Sequence, residues 1–212
     1  MSSGSPGMAK VVIDMSISLD GFVTGPGDSP RFPLGECGAR RLFDWYFSGP
    51  NSFEGSVFTP NEANRPVLAE IFANVGAMLT GRRTYDILNG WGGTHPVNAI
   101  PVVVLTHNPP PNPPNGKSEM VFVTDGIKSA VAKAMVLAKY KRVAIGGASV
   151  AQQALQAGLV DEIFLHIAPI VLGSGKRLFD DAGLRSIRLN LISSLDTAEA
   201  LHVRYEVVRE EH

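Results

Sequence analysis

The stretch Val143-Ala144-Ile145-Gly146-Gly147-Ala148-Ser149-Val150 decides how this chain is read. An apolar run over residues 142–145 predicts a short strand, and two glycines carry it directly into an amphipathic helical pattern. There Val150/Ala154 and Ala151/Leu155 recur four residues apart, and Gly158 supplies the stop. Ser149 stands as an N-cap with Gln152 three residues on, the spacing of a capping box. Glycine lets the backbone come close to a ligand, and a helix start presents unpaired N–H groups with a partial positive charge. A phosphate or pyrophosphate fits such a turn. A plain strand–turn–helix corner fits it too, because a Gly-Gly pair carries far less information than a full dinucleotide fingerprint.

Outside this corner, composition narrows the function classes. The 212 residues suffice for one domain with a substantial core, and 44% hydrophobic with 18% charged residues describes an ordinary globular chain. A formal net charge of −1 without any Lys/Arg block removes the electrostatic footprint of a nucleic-acid binder. No apolar run reaches the length of a membrane span. The single cysteine, Cys37, excludes an internal disulfide and fits a reducing compartment, which predicts a cytoplasmic protein. Cys37 reads as a structural or incidental thiol. Residues 1–9, rich in Ser and Gly, read as a flexible tail, followed by a single domain over 10–212. No His/Cys/Asp spacing suggests a metal site.

Strand and helix patterns alternate along that domain. From Val11 the period is two, with Val11, Ile13, Met15, Ile17 and Leu19 on one face and Asp14, Ser16, Ser18 and Asp20 on the other. Asp20-Gly21 bends the chain. Residues 39–47 have helical spacing, with Leu42, Trp45 and Tyr46 on one side. After a long loop, Pro66 opens a helix whose buried stripe is Val67, Leu68, Ile71, Phe72 and Val75. Residues 77–80, 102–106 and 120–124 predict strands. Residues 107–118, with five prolines, form a surface connection. Asp125 caps a helix over 127–140. Strands over 162–167 and 201–208 follow, the last alternating Leu201, Val203, Tyr205 and Val207 against His202, Arg204 and Glu206. Consecutive strands at the end predict an antiparallel hairpin added to a mostly parallel sheet.

Several of these segments together resemble the dihydrofolate-reductase-like superfamily, in the branch of the reductase domain of bacterial riboflavin biosynthesis (RibD C-terminal-like). The resemblance rests on Ser18-Leu19-Asp20-Gly21-Phe22, Gly81-Arg82-Arg83-Thr84-Tyr85, Leu105-Thr106, Ile145-Gly146-Gly147-Ala148, and the stretch from Asp161-Glu162-Ile163 to Gly173-Ser174-Gly175 with Leu178-Phe179. It implies a three-layer α-β-α fold: a mixed, mostly parallel sheet of about eight strands with an antiparallel C-terminal hairpin. It also implies NADPH bound at the carboxyl ends of the strands. Gly146, Gly147, Ala148, Ser149 and Val150 would then cradle the pyrophosphate. Gly81, Arg82, Arg83 and Thr84 match phosphate-contacting positions, and Leu105, Thr106 and His107 match those beside the adenosine 2′-phosphate. Ser16, Ile17, Val23 and Ile145 would line the nicotinamide pocket. A homodimer is implied, with the final strands contributing an edge or face.

The activity implied is an NADPH-dependent reductase that transfers a hydride to a small pteridine- or aminopyrimidine-type heterocycle, as in dihydrofolate reductase or 5-amino-6-(5-phosphoribosylamino)uracil reductase. The other open reading is a non-catalytic nucleotide-binding module with the same cradle. The cofactor carries the hydride chemistry, so the protein's own task is positioning and proton supply. Dihydrofolate reductases place a carboxylate one helical turn before a Trp–aromatic pair. Here the pair is Trp45-Tyr46, an aromatic wall for the substrate or part of the core, and Leu42 stands where the carboxylate belongs. Asp14 and Asp20, on the polar face of the first strand, are the candidate acids; Asp20 also suits capping its own turn. His166 reads as a hydrogen-bonded core histidine, Asp44 as a solvated helix residue, and His95 as a loop residue with no nameable partner.

Overall fold

Val11–Ser18 forms strand β1, and its alternating side chains serve two cores because helices cover both faces of the sheet. The computed structural model describes residues 9–36, 38–180 and 186–209. Cys37 and residues 1–8 of the expected tail lie outside them, whereas Ala9 packs into the core. After β1 come β2 (Phe22–Thr24), a 3-10 helix (Ala39–Tyr46), α1 (Arg65–Asn74), β3 (Val75–Gly81) and α2 (Arg82–Ile87). A second 3-10 helix (Asn89–Gly93) precedes β4 (Val102–Leu105), β5 (Met120–Val123), α3 (Ile127–Ala138), β6 (Arg142–Gly146) and α4 (Ala148–Gln156). The chain continues as β7 (Glu162–Ala168), β8 (Lys176–Arg177), β9 (Leu189–Asp196) and β10 (Leu201–Val207).

Eight strands form one sheet in the order β5-β4-β3-β6-β1-β7-β10-β9. The pairs from β5 through β7 are parallel, and β10 is antiparallel to both β7 and β9. This is the mixed sheet with an antiparallel C-terminal hairpin that the family pattern implies. On one face Val11, Ile13, Ile17, Val143, Ile145 and Ile163 meet α3 and α4. On the other, Val12, Ala144 and Phe164 meet Trp45 and the α1 stripe Val67, Leu68, Ile71 and Phe72. Side chains such as Ile13 and Leu68 are fully buried, each stabilising the fold by about 1.5–3 kcal/mol.

Several local expectations change. Leu19, assigned to the apolar face of β1, is 71% exposed because the strand stops at Ser18. The helix after Asp125 takes Gly126 at its N-cap, without a side-chain cap, and ends at Ala138 where Lys139 turns to φ +59°. The Ser149/Gln152 capping box does not form. α4 starts earlier, at Ala148 after Gly147, so Ser149 falls inside the first turn. Gln152 Nε2 instead donates to the Leu178 carbonyl at 3.0 Å, tying α4 to the strand β8 region.

The polar face expected on β10 is buried. His202 and Arg204 are 2% and 6% exposed, whereas Leu201 is 41% exposed. Strand β10 lies between two neighbours, and α1 packs over its polar side. Arg204 bonds Glu162 at 3.2 Å and Glu70 at 2.9 Å, and its guanidinium lies over the Phe164 ring. Lys10 adds a 2.6 Å pair with Glu162. Burial pushes the Glu162 carboxyl up, but the Lys10 bond and the charges of Lys10, Arg142 and Arg204 outweigh it and leave it lowered.

Asp20 closes the turn after β1 and also clamps a distant loop. Its Oδ1 accepts from Ser18 Oγ (2.6 Å) and from the Leu172 N–H (3.1 Å), and its Oδ2 accepts from the Gly173 N–H (2.7 Å). Ser18 Oγ in turn accepts from the Phe22 N–H at 2.9 Å. The Ser18 bond, together with those main-chain donors, holds Asp20 at about 2 against the opposing effect of burial.

Two stability predictions arise here. Arg204→Ala leaves Glu162 and Glu70 short of a buried partner and should destabilise the protein by about 3–5 kcal/mol. Urea denaturation should show a lower midpoint at unchanged slope, and a loss below about 1 kcal/mol would mean the pair behaves as solvated. The depressed Asp20 pKa stabilises the fold fully above the unfolded-chain value of about 3.9, and that contribution disappears as pH falls through about 2. The Tm gap between wild type and Asp20→Asn should therefore be constant above about pH 5 and narrow on acidification. A gap independent of pH would contradict the clamp.

Candidate functional site

The glycine corner lies where β3 and β6 end side by side. Thr80 pairs with Gly146 in the parallel register, and the buried Thr80 hydroxyl donates to the Gly146 carbonyl at 2.6 Å. The two glycines serve different needs. A Cβ on Gly146 would meet the Met78 side-chain end at Cε, 2.1 Å away, so Met78 would have to move aside. Gly147 has φ +121°, a left-handed-side value that side chains disfavour, and a Cβ there would come within 3.1 Å of Thr84 Oγ1 and 3.6 Å of Thr80 Oγ1. The corner is thus a hollow walled by two hydroxyls. No side chain caps α4, so its leading amides at Ala148, Ser149 and Val150 are available to an outside acceptor. Ala148 and Val150 bury their side chains, and Ser149 is exposed. Thr80 was not singled out in the sequence, because a threonine in a largely apolar strand carries no visible signal.

Neighbouring strand ends extend this hollow. Gly81 ends β3 with a Cβ position 3.2 Å from Val150 Cγ2. Arg82 bonds both Asp86 oxygens, at 2.8 and 2.9 Å, and also the Asn108 carbonyl. Thr106 Oγ1 shares that carbonyl at 3.1 Å, which brings Arg82 and the end of β4 together. His107 is exposed beside them, and Leu105 packs on the core. Arg83 turns away to Asp28, whose hydrogen bond and charge raise its pKa further. The structure thus separates the adjacent arginines. Arg82 belongs to the strand-end group and Arg83 to a loop tie.

Asp14, Ser16, His166 and His202 form a polar row on the opposite sheet face. Ser16 pairs with His166, and His166 with His202, across β1, β7 and β10. His166 Nε2 lies 3.0 Å from Asp14 Oδ1, and the two Nδ1 atoms of His166 and His202 are 2.7 Å apart. His202 Nε2 lies 2.9 Å from Asn64 Oδ1. Both imidazoles are buried, while the Asp14 side chain keeps 11% exposure. The β1–β6 register ends at Ile13↔Ile145, the residues that precede Asp14 and Gly146.

Trp45 is a lid on this row and not an open aromatic wall. It is fully buried, its Nε1 donates to Ser16 Oγ at 2.9 Å, and its ring lies 4.4 Å from His166 and 3.6 Å from Tyr46. The position inside the 3-10 helix that turns Trp45 inward also buries Leu42, so no helix carboxylate reaches the row. Tyr46 is partly exposed; burial of its hydroxyl, with the Asp14 charge adding, raises its pKa well above the usual value. The side chains of Ile17, Val23 and Ile145 are spent on core packing, which leaves only their main chain for a ligand. Asp20 lies outside the row, engaged in its clamp. His95 finds a partner after all: its Nδ1 accepts from the Val97 N–H at 3.3 Å, and burial lowers it to about 4. A hollow of about 370 Å³ lined by Lys10, Asp161, Asn190 and Glu206 lies at the opposite ends of the strands.

Residues 9–203 match the family model described as the RibD C-terminal domain. The uncharacterised protein YyaP of Bacillus subtilis strain 168 is 27% identical over 201 residues, which span 87% of each chain. Among solved structures, a Shewanella sp. PV-4 protein with a provisional riboflavin-biosynthesis designation superposes with a TM-score of 0.67 at 24% identity, over 96% of this chain and all (100%) of that one. A pyrimidine reductase-like protein from Corynebacterium diphtheriae gives 0.55 at 18% identity, over 96% and 93% of the two chains. A Thermotoga maritima diaminohydroxyphosphoribosylaminopyrimidine deaminase/5-amino-6-(5-phosphoribosylamino)uracil reductase gives 0.58 at 13% identity, over 95% of this chain and 57% of the larger one. At these identities the structures establish a shared fold, and the match over residues 9–203 establishes the lineage: this chain belongs to the RibD C-terminal domain family.

Proposed function

We propose that this protein is an NADPH-dependent reductase that delivers a hydride to a small aminopyrimidine- or pteridine-type heterocycle. The observation that carries the reading is a juxtaposition. An uncapped helix start behind Gly147 lies one strand away from a carboxyl group, Asp14, that is bonded to the buried His166. The hollow fits a pyrophosphate: a Cβ at Gly147 would fill it, and amides of Ala148 to Val150 with the Thr84 hydroxyl supply donors. Arg82 and Thr106 supply a guanidinium and a hydroxyl for the 2′-phosphate, with Gly81, Leu105 and His107 around them. Bound there, the dinucleotide supplies the hydride, and every other task falls to the chain. Thr80 and Gly147 hold the corner open, Tyr46 borders the substrate side, and Asp14 delivers the proton.

Substrate class follows from what is missing on the 3-10 helix. Leu42 offers no carboxylate to grip a pteridine, which favours an aminopyrimidine of the kind named for the Thermotoga maritima reductase, with the ring or its sugar carbonyl as acceptor. A cytoplasmic homodimer is part of this proposal. Leu191, Ile192 and Leu195 on the edge strand β9 are 41–60% exposed and offer apolar side chains along that edge to a second copy.

Gly147→Asp should abolish NADPH binding in a calorimetric titration, since a side chain and a negative charge enter the cradle; retained affinity would refute the site. Arg82→Ala should weaken NADPH about tenfold or more while affecting NADH little, the scale of a charged hydrogen bond. Equal losses for both coenzymes would remove the 2′-phosphate assignment. Asp14→Asn should lower the NADPH oxidation rate on a responsive aminopyrimidine by about 10²–10⁴. Tight NADPH binding with no turnover on any pteridine or aminopyrimidine would identify a non-catalytic nucleotide-binding module.

A further inference from the structure

The hydrogen bonds leading away from Asp14 have a direction, and it can be read from their far end. Asn61 Oδ1 accepts from the Asn64 main-chain N–H (3.1 Å) and from Asn64 Nδ2 (3.0 Å), and Asn61 Nδ2 donates to Glu199 Oε1 (3.0 Å). Asn64 Nδ2 also donates to Glu199 Oε2 at 2.8 Å. Turning the Asn64 amide over would set its oxygen against two acceptors, Asn61 Oδ1 and Glu199 Oε2, in a fully buried position. The Asn64 oxygen therefore faces His202, whose Nε2–H must donate to it across 2.9 Å. Burial, with His166 beside it, lowers His202 to about 3, so near neutral pH it carries one N–H and its Nδ1 is bare. That bare nitrogen is 2.7 Å from His166 Nδ1, which must be the donor. His166 Nε2 then meets Asp14 Oδ1 at 3.0 Å, a contact of two acceptors unless a proton lies between them.

From this forced direction we propose that the protein stores one extra proton between Asp14 and His166, with Glu199, Asn64 and His202 as positioning residues that keep it there. Its two forms, carboxylic acid with neutral imidazole and carboxylate with imidazolium, differ by one transfer along a single hydrogen bond, and both satisfy every group in the row. The emptied row does not. A carboxylate oxygen then faces bare His166 Nε2, and reversing both tautomers only moves the conflict to His202 Nε2 against the Asn64 oxygen. One acceptor–acceptor contact persists either way, so the depleted state refills from solvent.

Among the titratable neighbours of the pair, His202 is held neutral and the Tyr46 hydroxyl is held protonated by burial, with the Asp14 charge adding, so neither competes for the proton. Trp45 covers the imidazoles and leaves Asp14 as the partly exposed member. The use of the store rests on the reductase reading. A bound reduced dinucleotide would supply the hydride to the acceptor carbon and leave oxidised. The Asp14–His166 pair would give its proton to the attached oxygen or nitrogen as the π pair moves there, and a solvent proton would reload the pair.

Nitrogen-15 NMR of the histidine-labelled protein, without coenzyme or substrate at neutral pH, tests the store directly. The expected result is His202 protonated on Nε2 alone, His166 carrying a proton on Nδ1, and one further proton read either on His166 Nε2 or, by carbon-13 NMR of labelled aspartate, on the Asp14 carboxyl. A bare His166 Nε2 beside an ionised Asp14 would overturn the proposal, as would His202 protonated on Nδ1 with a bare Nε2. Asp14→Asn supplies an amide donor to His166 Nε2, so it should keep both tautomers while losing turnover; reversed tautomers in that variant would also overturn it. Glu199→Gln removes the double acceptor that orients Asn64 and should mix the His202 tautomers and reduce kcat about tenfold or more with KM unchanged, the scale of lost outer partners. Unchanged tautomers and rate there would remove Glu199 from the row. Lack of NADPH turnover in the wild type would sink the reductase reading alone, because the tautomers are read without it.

Discussion

Polar side chains on the inner face of β1 and β7 are buried or nearly so, and this constraint organises the molecule. Asp14, Ser16 and His166 project from central strands into a layer closed by α1 and the 3-10 helix. Each must find a partner inside, since an unpaired buried polar group costs about 1–3 kcal/mol. Trp45 satisfies Ser16, His166 joins Asp14 to His202, and Asn64 receives His202 at the N-terminus of α1. The same layer contains Arg204 with Glu162 and Glu70 farther along β10. The face that looks like a second core is therefore an apolar shell around two polar networks.

These networks also set the Asp14 row against the glycine corner. The corner at Gly147 is built from the strand ends of β3 and β6 and from the helices on one side of the sheet. The Asp14 row belongs to the other side. β6 ends at Gly146, next to the middle of β1 that carries Asp14, and the carboxyl ends of parallel strands are the usual place for ligands in open α/β sheets. Asp20, though adjacent in sequence to the same strand end, is bonded to the loop at residues 172–173.

Much of the fold was legible residue by residue. The alternation of Val11, Ile13 and Ile17, the continuous run Val102–Leu105 and the stripe of Val67, Leu68, Ile71 and Phe72 all occupy the elements their periods predict. The glycine corner was legible as strand–turn–helix, and Asp14 was conspicuous as a carboxylate in mid-strand. The errors share a cause. His202 and Arg204 alternate with apolar residues just as solvent-facing side chains do, so period two could not distinguish water from a buried network. Trp45 was placed correctly on its helix, but its pattern says nothing of what it covers. Asn64 and Glu199 lie in connecting segments, where no period marks them.

Chain order and local pattern alone determined the sequence of strands and helices, the sharp turn at Gly147 and the two arginines after β3, because each depends on residues within a few positions. Tertiary structure decided which arginine joins the strand ends, which carboxylate stays free of a clamp, and which way the histidine hydrogen bonds run. Asp14 and His166 are 152 residues apart, and His202 and Asn64 are 138 apart. Their donor and acceptor roles are set by partners that only the folded sheet brings within hydrogen-bond reach, and no local propensity encodes that choice.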